Sequence, residues 1–110
     1  MTQDTKNSHN PLYPVNLDIA GKRCLVVGGG AVAARKIKAL LLCGGLVQII
    51  SPEASSVINW LAESGEIEWL RRTYRQGDAK DAFLIFAATN DPAVQKQIAE
   101  DAARYHVLIN

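Results

Sequence analysis

Histidine and cysteine occur only twice each in these 110 residues, at His9, His106, Cys24 and Cys43. With no Cys-x-x-Cys pair and two isolated histidines, nothing has metal-site spacing, and no metal ligand is expected. The same scarcity excludes a disulfide scaffold. The two thiols fall in a predicted strand and a predicted helix and read as small buried hydrophobes of a reducing compartment. An excess of one charge is also missing: 12 Lys and Arg face 11 Asp and Glu. The chain therefore lacks the electrostatic footprint of a nucleic-acid or anionic-membrane binder. No apolar run is long enough to span a bilayer, and the polar N-terminus does not read as a secretion signal. The expected location is cytoplasmic. What remains is 48% hydrophobic residues in the length of one domain, enough to bury roughly two-thirds of the unfolded surface.

Residues 1–11 are polar and aperiodic and read as a disordered lead-in, with one domain over 12–110. From Leu12 to Ile19 the apolar positions Val15, Leu17 and Ile19 alternate, while Pro11 and Pro14 exclude a helix. An edge strand or extended arm is expected there, followed by a turn at Gly21-Lys22. The β-branched run Leu25-Val26-Val27 then reads as a buried strand, and Gly28, Gly29 and Gly30 follow it directly. A helix is predicted from Ala31 to about Cys43, with Ala33, Ile37, Leu40 and Leu41 as its packed stripe and Leu42 outside it. Gly44-Gly45 would end it. Arg35 and Lys36 could be imagined as a phosphate clamp, but Arg35 lies opposite the stripe, which favours a solvated face.

The second strand is Leu46–Ile50, and Ser51-Pro52-Glu53 then reads as N-cap, first helical residue and dipole partner of a helix running to about Glu63. After Gly65, the alternation in Glu66–Leu70 suggests a half-buried strand near a sheet edge. Arg71, Arg72 and Arg75 follow: a solvated loop, with a carboxylate site as the sharper alternative. Gly77-Asp78 marks a turn. Phe83–Ala88 is a continuous apolar run, as in a central parallel strand. Asp91 and Pro92 open a last helix packed through Val94, Ile98, Ala102 and Tyr105, and His106–Asn110 begins a fifth strand.

Strands alternating with helices give an α/β fold, a Rossmann-type doubly wound parallel sheet of about five strands. In such a sheet, ligands bind beyond the carboxyl ends of the strands. Three segments end there: Gly28-Gly29-Gly30, Ser51-Pro52-Glu53 and Ala88-Thr89-Asn90. Glycines alone are a weak signal, since a tight βα loop needs them too. Between a good strand and a good helix they fit G-x-G-x-x-G/A, with Gly28 for the turn, Gly30 for pyrophosphate approach and Ala33 for close packing. Ser51 stands where the ribose-binding acid is usual, Glu53 is the nearest acid, and residues 51–56 hold no Arg for a 2′-phosphate. NAD is therefore favoured over NADP without the choice being closed.

The order of motifs carries a resemblance. A Leu-x-Pro-Val arm precedes Gly21-Lys22-Arg23; then come Leu25 to Lys36 (LVVGGGAVAARK), Ser51-Pro52-Glu53, Gly65 to Trp69 (GEIEW), Phe83 to Pro92 (FLIFAATNDP) and a terminal Asn110. Residues 12 to 110 are similar to the precorrin-2 dehydrogenase and sirohydrochlorin ferrochelatase family, in the N-terminal NAD-binding domain of siroheme synthase. The resemblance implies NAD-dependent oxidation of precorrin-2 to sirohydrochlorin, with iron insertion in some members. It implies cofactor contacts at Gly28, Gly29, Gly30, Ala31 and Val32 on the pyrophosphate side, at Ser51, Pro52 and Glu53 near the ribose, and at Ala88 and Thr89 under the nicotinamide. It implies a homodimer at full length. In the family the last strand continues into Val-Val-Asp, whose Asp serves both chemistries and would fall three residues past Asn110. No catalytic residue is carried over, and the chain reads as a fragment lacking the family's second half. The alternatives are a sensing module that binds NAD or a nucleotide without turnover, or an interaction domain with an empty loop.

Overall fold

The computed structural model describes residues 10–110; most of the lead-in expected over 1–11 lies outside them. Five strands and three helices follow in the order β1 (Arg23–Val27), α1 (Ala31–Leu42), β2 (Leu46–Ile50), α2 (Ser56–Glu63), β3 (Glu68–Leu70), β4 (Leu84–Ala87), α3 (Pro92–Tyr105) and β5 (Leu108–Ile109). All four strand pairs are parallel and the spatial order is β3-β2-β1-β4-β5. The chain moves outward from β1 to β3, then returns across β1 to β4. That reversal is the topological switch point of a doubly wound sheet.

Strand alternation feeds two cores. Cys24 and Val26 of β1 point to one face, where α1 and α2 contribute Ala33, Ile37, Leu40, Ile58 and Leu61. Leu25 and Val27 point to the other, packed with Ile50, Ile85, and Ile98 and Ala102 of α3. With period 2 along the strand, a central strand must be apolar at every position, and Cys24, Leu25 and Val26 are each fully buried. The stripe of α1 is as expected: Ala33, Ile37 and Leu40 are buried and Leu42 is 89% exposed.

Three expectations need correction. Ser51 does not cap a helix. Its N–H donates to the Leu70 carbonyl (3.2 Å), continuing the pairing with β3, its carbonyl accepts from the Trp69 indole Nε1–H (2.9 Å), and its hydroxyl is turned to the Glu53 carbonyl. The helix starts later, at Ser56, where the Ser55 side chain accepts from the Ile58 N–H. Of the two forms expected for Leu12–Ile19, edge strand or arm, the segment takes the arm, with Ile19 buried and Val15 and Leu17 exposed. Cys24 is buried, and burial pushes its thiol pKa up, but Cys43 is exposed at the end of α1, so only one thiol is a core residue. The cap of α1 is Cys43 itself.

Gly44 follows that cap with positive φ, and Gly44 and Gly45 donate to Leu41 and Leu40, closing a Schellman motif. At the end of α2, Gly65 and Glu66 repeat it on Ala62 and Leu61. In α3 the left-handed position is held by His106 (φ 56°), with Val107 N–H donating to the Ala102 carbonyl.

Candidate functional site

Because every strand is parallel, β1, β2 and β4 end at one edge of the sheet, and the loops leaving them meet. Gly28 N–H donates to the Ile50 carbonyl (3.0 Å), Ala88 N–H to Val27 (2.8 Å), and Ser55 N–H to Gly29 (2.9 Å). Between them lies a cleft of about 160 Å³ lined by Val27, Gly28, Ile50, Ser51, Pro52, Thr73, Tyr74, Thr89, Asp91 and Val94.

The three glycines have distinct surroundings. Gly28 sits at φ +125°, and a Cβ there would lie 2.7 Å from the Ala88 carbonyl oxygen. Only glycine permits that turn and that approach of β4. A Cβ on Gly29 would overlap the Glu53 carbonyl, so this glycine seats the β2–α2 loop, a role its place in the sequence pattern did not reveal. A Cβ on Gly30 would meet nothing within 4 Å. The space in front of Gly30 is open.

That space faces the start of α1. The helix carries neither a side-chain cap at Gly30 nor an acidic residue in its first turn. α3 is capped, by Asp91 accepting from Ala93 N–H (3.0 Å), as α2 is by Ser55. First-turn N–H groups of a helix have no intrahelical acceptor, and the dipole places partial positive charge there. An uncapped, glycine-fronted start therefore fits a phosphate, and the residues present fit a dinucleotide's pyrophosphate.

The expected site residues occupy three positions around this opening. Gly28, Ser51, Pro52 and Thr89 line the cleft itself. Gly30, Ala31 and Val32 are exposed at the start of α1, and Ala88 is half-buried against Gly28. Ser51 is buried and its hydroxyl donates to the Glu53 carbonyl (2.5 Å), which folds the loop back and leaves the Glu53 side chain exposed. Thr89 is held by its own turn: its Oγ1 accepts from Asp91 N–H (3.2 Å), and Gln95 Nε2 donates to its carbonyl (2.5 Å). Lys36 lies over the Phe86 ring, 4.8 Å from its centre, and Arg35 is exposed.

The sequence reading missed Thr73 and Tyr74, which wall the cleft on the β3 side, and Asp91 and Val94, assigned only to capping and packing. No spacing rule could find the first two, because the pairing of β3 with β2 brings them there. The arginines split up. Arg72 makes a two-pronged pair with Asp78 (2.8 and 2.9 Å), Arg71 stacks 4.5 Å from the Trp69 ring centre, and Arg75 donates its backbone N–H to Asp78 (2.7 Å). Arg72 and the Arg75 backbone meet at Asp78 within the loop, while Arg71 turns away to Trp69. Among the described residues, no helix is long and apolar enough to cross a membrane.

The strand order, the glycine turn and the bare helix start together define a dinucleotide-binding domain of the Rossmann type. The chain belongs to the family described as "Putative NAD(P)-binding", which matches residues 15–110. Similar proteins include the siroheme synthase of Actinobacillus pleuropneumoniae serotype 3 (strain JL03), 34% identical over 97 residues, which are 88% of this chain and 20% of that protein. The precorrin-2 dehydrogenase of Bacillus subtilis (strain 168) is 32% identical over 97 residues, 88% of this chain and 60% of its own length. Among solved structures, SirC, a precorrin-2 dehydrogenase, superposes with a TM-score of 0.81 at 35% identity, covering 90% of this chain and 48% of that one. The chain thus spans from a fifth to three-fifths of these relatives.

Proposed function

We propose that this chain is the dinucleotide-binding domain, over residues 12–110, of a cytoplasmic precorrin-2 dehydrogenase that oxidises precorrin-2 to sirohydrochlorin on the route to siroheme. The observation that carries the reading is the open, uncapped start of α1 in front of Gly30, in a chain with these relatives. NAD is the preferred cofactor, since the loop after β2 offers Glu53 and no arginine.

When bound, NAD supplies the hydride acceptor, C4 of the nicotinamide. Backbone N–H groups from Gly30 to Val32 hold the pyrophosphate at the helix start. Ser51, Pro52 and Glu53 receive the ribose of the adenosine half. Ala88 and Thr89, fixed by Gln95 and Asp91, support the nicotinamide end. Val27, Ile50 and Val94 give the cleft an apolar lining against which the bound rings would pack. The oxidation would take one hydride and one proton from precorrin-2, the hydride passing to the nicotinamide. The full-length protein acts as a homodimer whose remaining part supplies the tetrapyrrole contacts and the acid–base group.

The deciding experiment supplies the full-length polypeptide with precorrin-2 and NAD and follows NADH at 340 nm (the reduced-nicotinamide band). NADH formation with sirohydrochlorin accumulating supports the reading. Tight NAD binding with no turnover in the full-length protein points instead to a sensing module.

A further inference from the structure

The connection from β3 to β4 has no regular structure along residues 71–77, yet it forms one wall of the cleft through Thr73 and Tyr74. Two carboxylates hold it. Asp78 gathers Arg72 and the Arg75 N–H from within the loop. Asp101 comes from α3 and is 3% exposed. Its Oδ2 accepts from the Tyr74 hydroxyl (2.6 Å) and from the Gly77 N–H (2.9 Å). Both donors are neutral, so this buried carboxylate is held by hydrogen bonds where the helix face otherwise buries Ile98 and Ala102. A buried carboxylate is costly to keep in such a place, and a leucine would pack there more simply.

What Asp101 achieves is geometric. Tyr74 packs in the α3-side core with Leu25, Val27, Ile50 and Ile98, while contributing to the cleft lining. The other end of α3 carries Asp91 and Val94 on the opposite side of the same cleft. The Asp101–Tyr74–Gly77 clip therefore ties one wall to the helix that bears the other. Burial, together with the bond to Asp101, pushes the Tyr74 hydroxyl pKa further above its ordinary value.

We propose that Asp101 is a positioning residue for the dinucleotide: through Tyr74 it holds the 71–77 connection as the cleft wall on the β2–β3 side, and so sets affinity for the adenosine half. The inference rests on the dinucleotide reading above.

The test uses the full-length protein and three variants: Tyr74→Phe, Asp101→Asn, and the double variant Tyr74→Phe/Asp101→Leu. Affinities for NAD and for ADP-ribose come from titration calorimetry, and exchange of the 72–77 backbone amides from mass spectrometry. Tyr74→Phe should weaken both ligands by about three- to tenfold, the range of one lost hydrogen bond, and speed exchange of those amides. Asp101→Asn keeps an acceptor for both donors and should bind within about twofold of wild type. The double variant replaces the Tyr74–Asp101 pair by apolar groups and also strips the Gly77 N–H of its acceptor, so the clip is gone and the melting temperature should fall. Titrated at a temperature where circular dichroism shows it folded, it should bind at least as weakly as Tyr74→Phe, while Asp101→Asn restores both affinity and amide protection, a rescue that a role in overall stability alone does not predict. Wild-type affinity in the double variant, or unchanged amide exchange in Tyr74→Phe, overturns the proposal. If wild type binds neither NAD nor ADP-ribose, the dinucleotide reading itself fails and takes the positioning role with it.

Discussion

Substituting Gly30 and Gly28 in parallel separates binding from folding. At Gly30 the backbone is extended (φ −93°, ψ −161°) and a Cβ meets nothing within 4 Å, so Gly30→Val keeps the fold. Valine is a poorer N-cap than glycine, a cost of about 1 kcal/mol, or several degrees of melting temperature in a domain this size. On the proposed pyrophosphate site, its side chain would fill the open space in front of Gly30 through which the phosphates reach the N–H groups of α1. Hydrogen bonds to a charged group contribute about 1.5–3 kcal/mol each, so losing two weakens NAD by roughly two to four orders of magnitude.

Gly28→Ala does the reverse. At φ +125° the strain is about 1–3 kcal/mol, and the new Cβ lies 2.7 Å from the Ala88 oxygen and 2.9 Å from its carbon. Overpacking against backbone adds about 1–3 kcal/mol. A domain holds only about 5–15 kcal/mol in all, so the melting temperature should fall by about 10 °C or more. Thermal melts by circular dichroism and calorimetric titration with NAD measure both effects. A folded Gly30→Val protein with wild-type NAD affinity would refute the pyrophosphate assignment. A Gly28→Ala protein as stable as wild type would refute the argument from backbone approach.

Two further outcomes follow from the ends of α3 and the loop it faces. His106→Gly should stabilise the domain by about 0.5–1 kcal/mol, because a left-handed backbone is costly for histidine and free for glycine; an unchanged or lower urea midpoint would count against this. Burial alone would raise the Asp78 carboxyl, but the Arg72 hydrogen bonds and the Arg75 N–H outweigh it and hold the pKa below the ordinary value near 4. Its contribution is thus fully present above about pH 4 and is lost as the pH falls through the lowered folded-state value. In urea melts taken at successively lower pH, Asp78→Asn should show a shallower loss of stability below pH 4 than wild type; parallel curves would contradict the sign.

Much of this protein could be read from local pattern. Period-2 and period-3.6 apolar spacing, with Gly44, Gly65 and Asp91 as punctuation, located β1, α1, β2 and α3 closely, because each signal is local chemistry acting within a few residues. The glycine turn was legible for the same reason: Gly28 and Gly30 act through their own backbone. Three matters were settled only by the assembled fold. Ser51 has an N-cap's chemistry, yet its N–H pairs with β3 and its hydroxyl donates to the Glu53 carbonyl, and the helix starts at Ser56. The arginines read as one cluster, but Asp78 and Trp69 draw Arg72 and Arg71 apart. Tyr74 and Asp101 stand 27 residues apart, and nothing in either neighbourhood announces the other. Tertiary packing alone brings them together, because a buried carboxylate must find donors wherever the chain can deliver them.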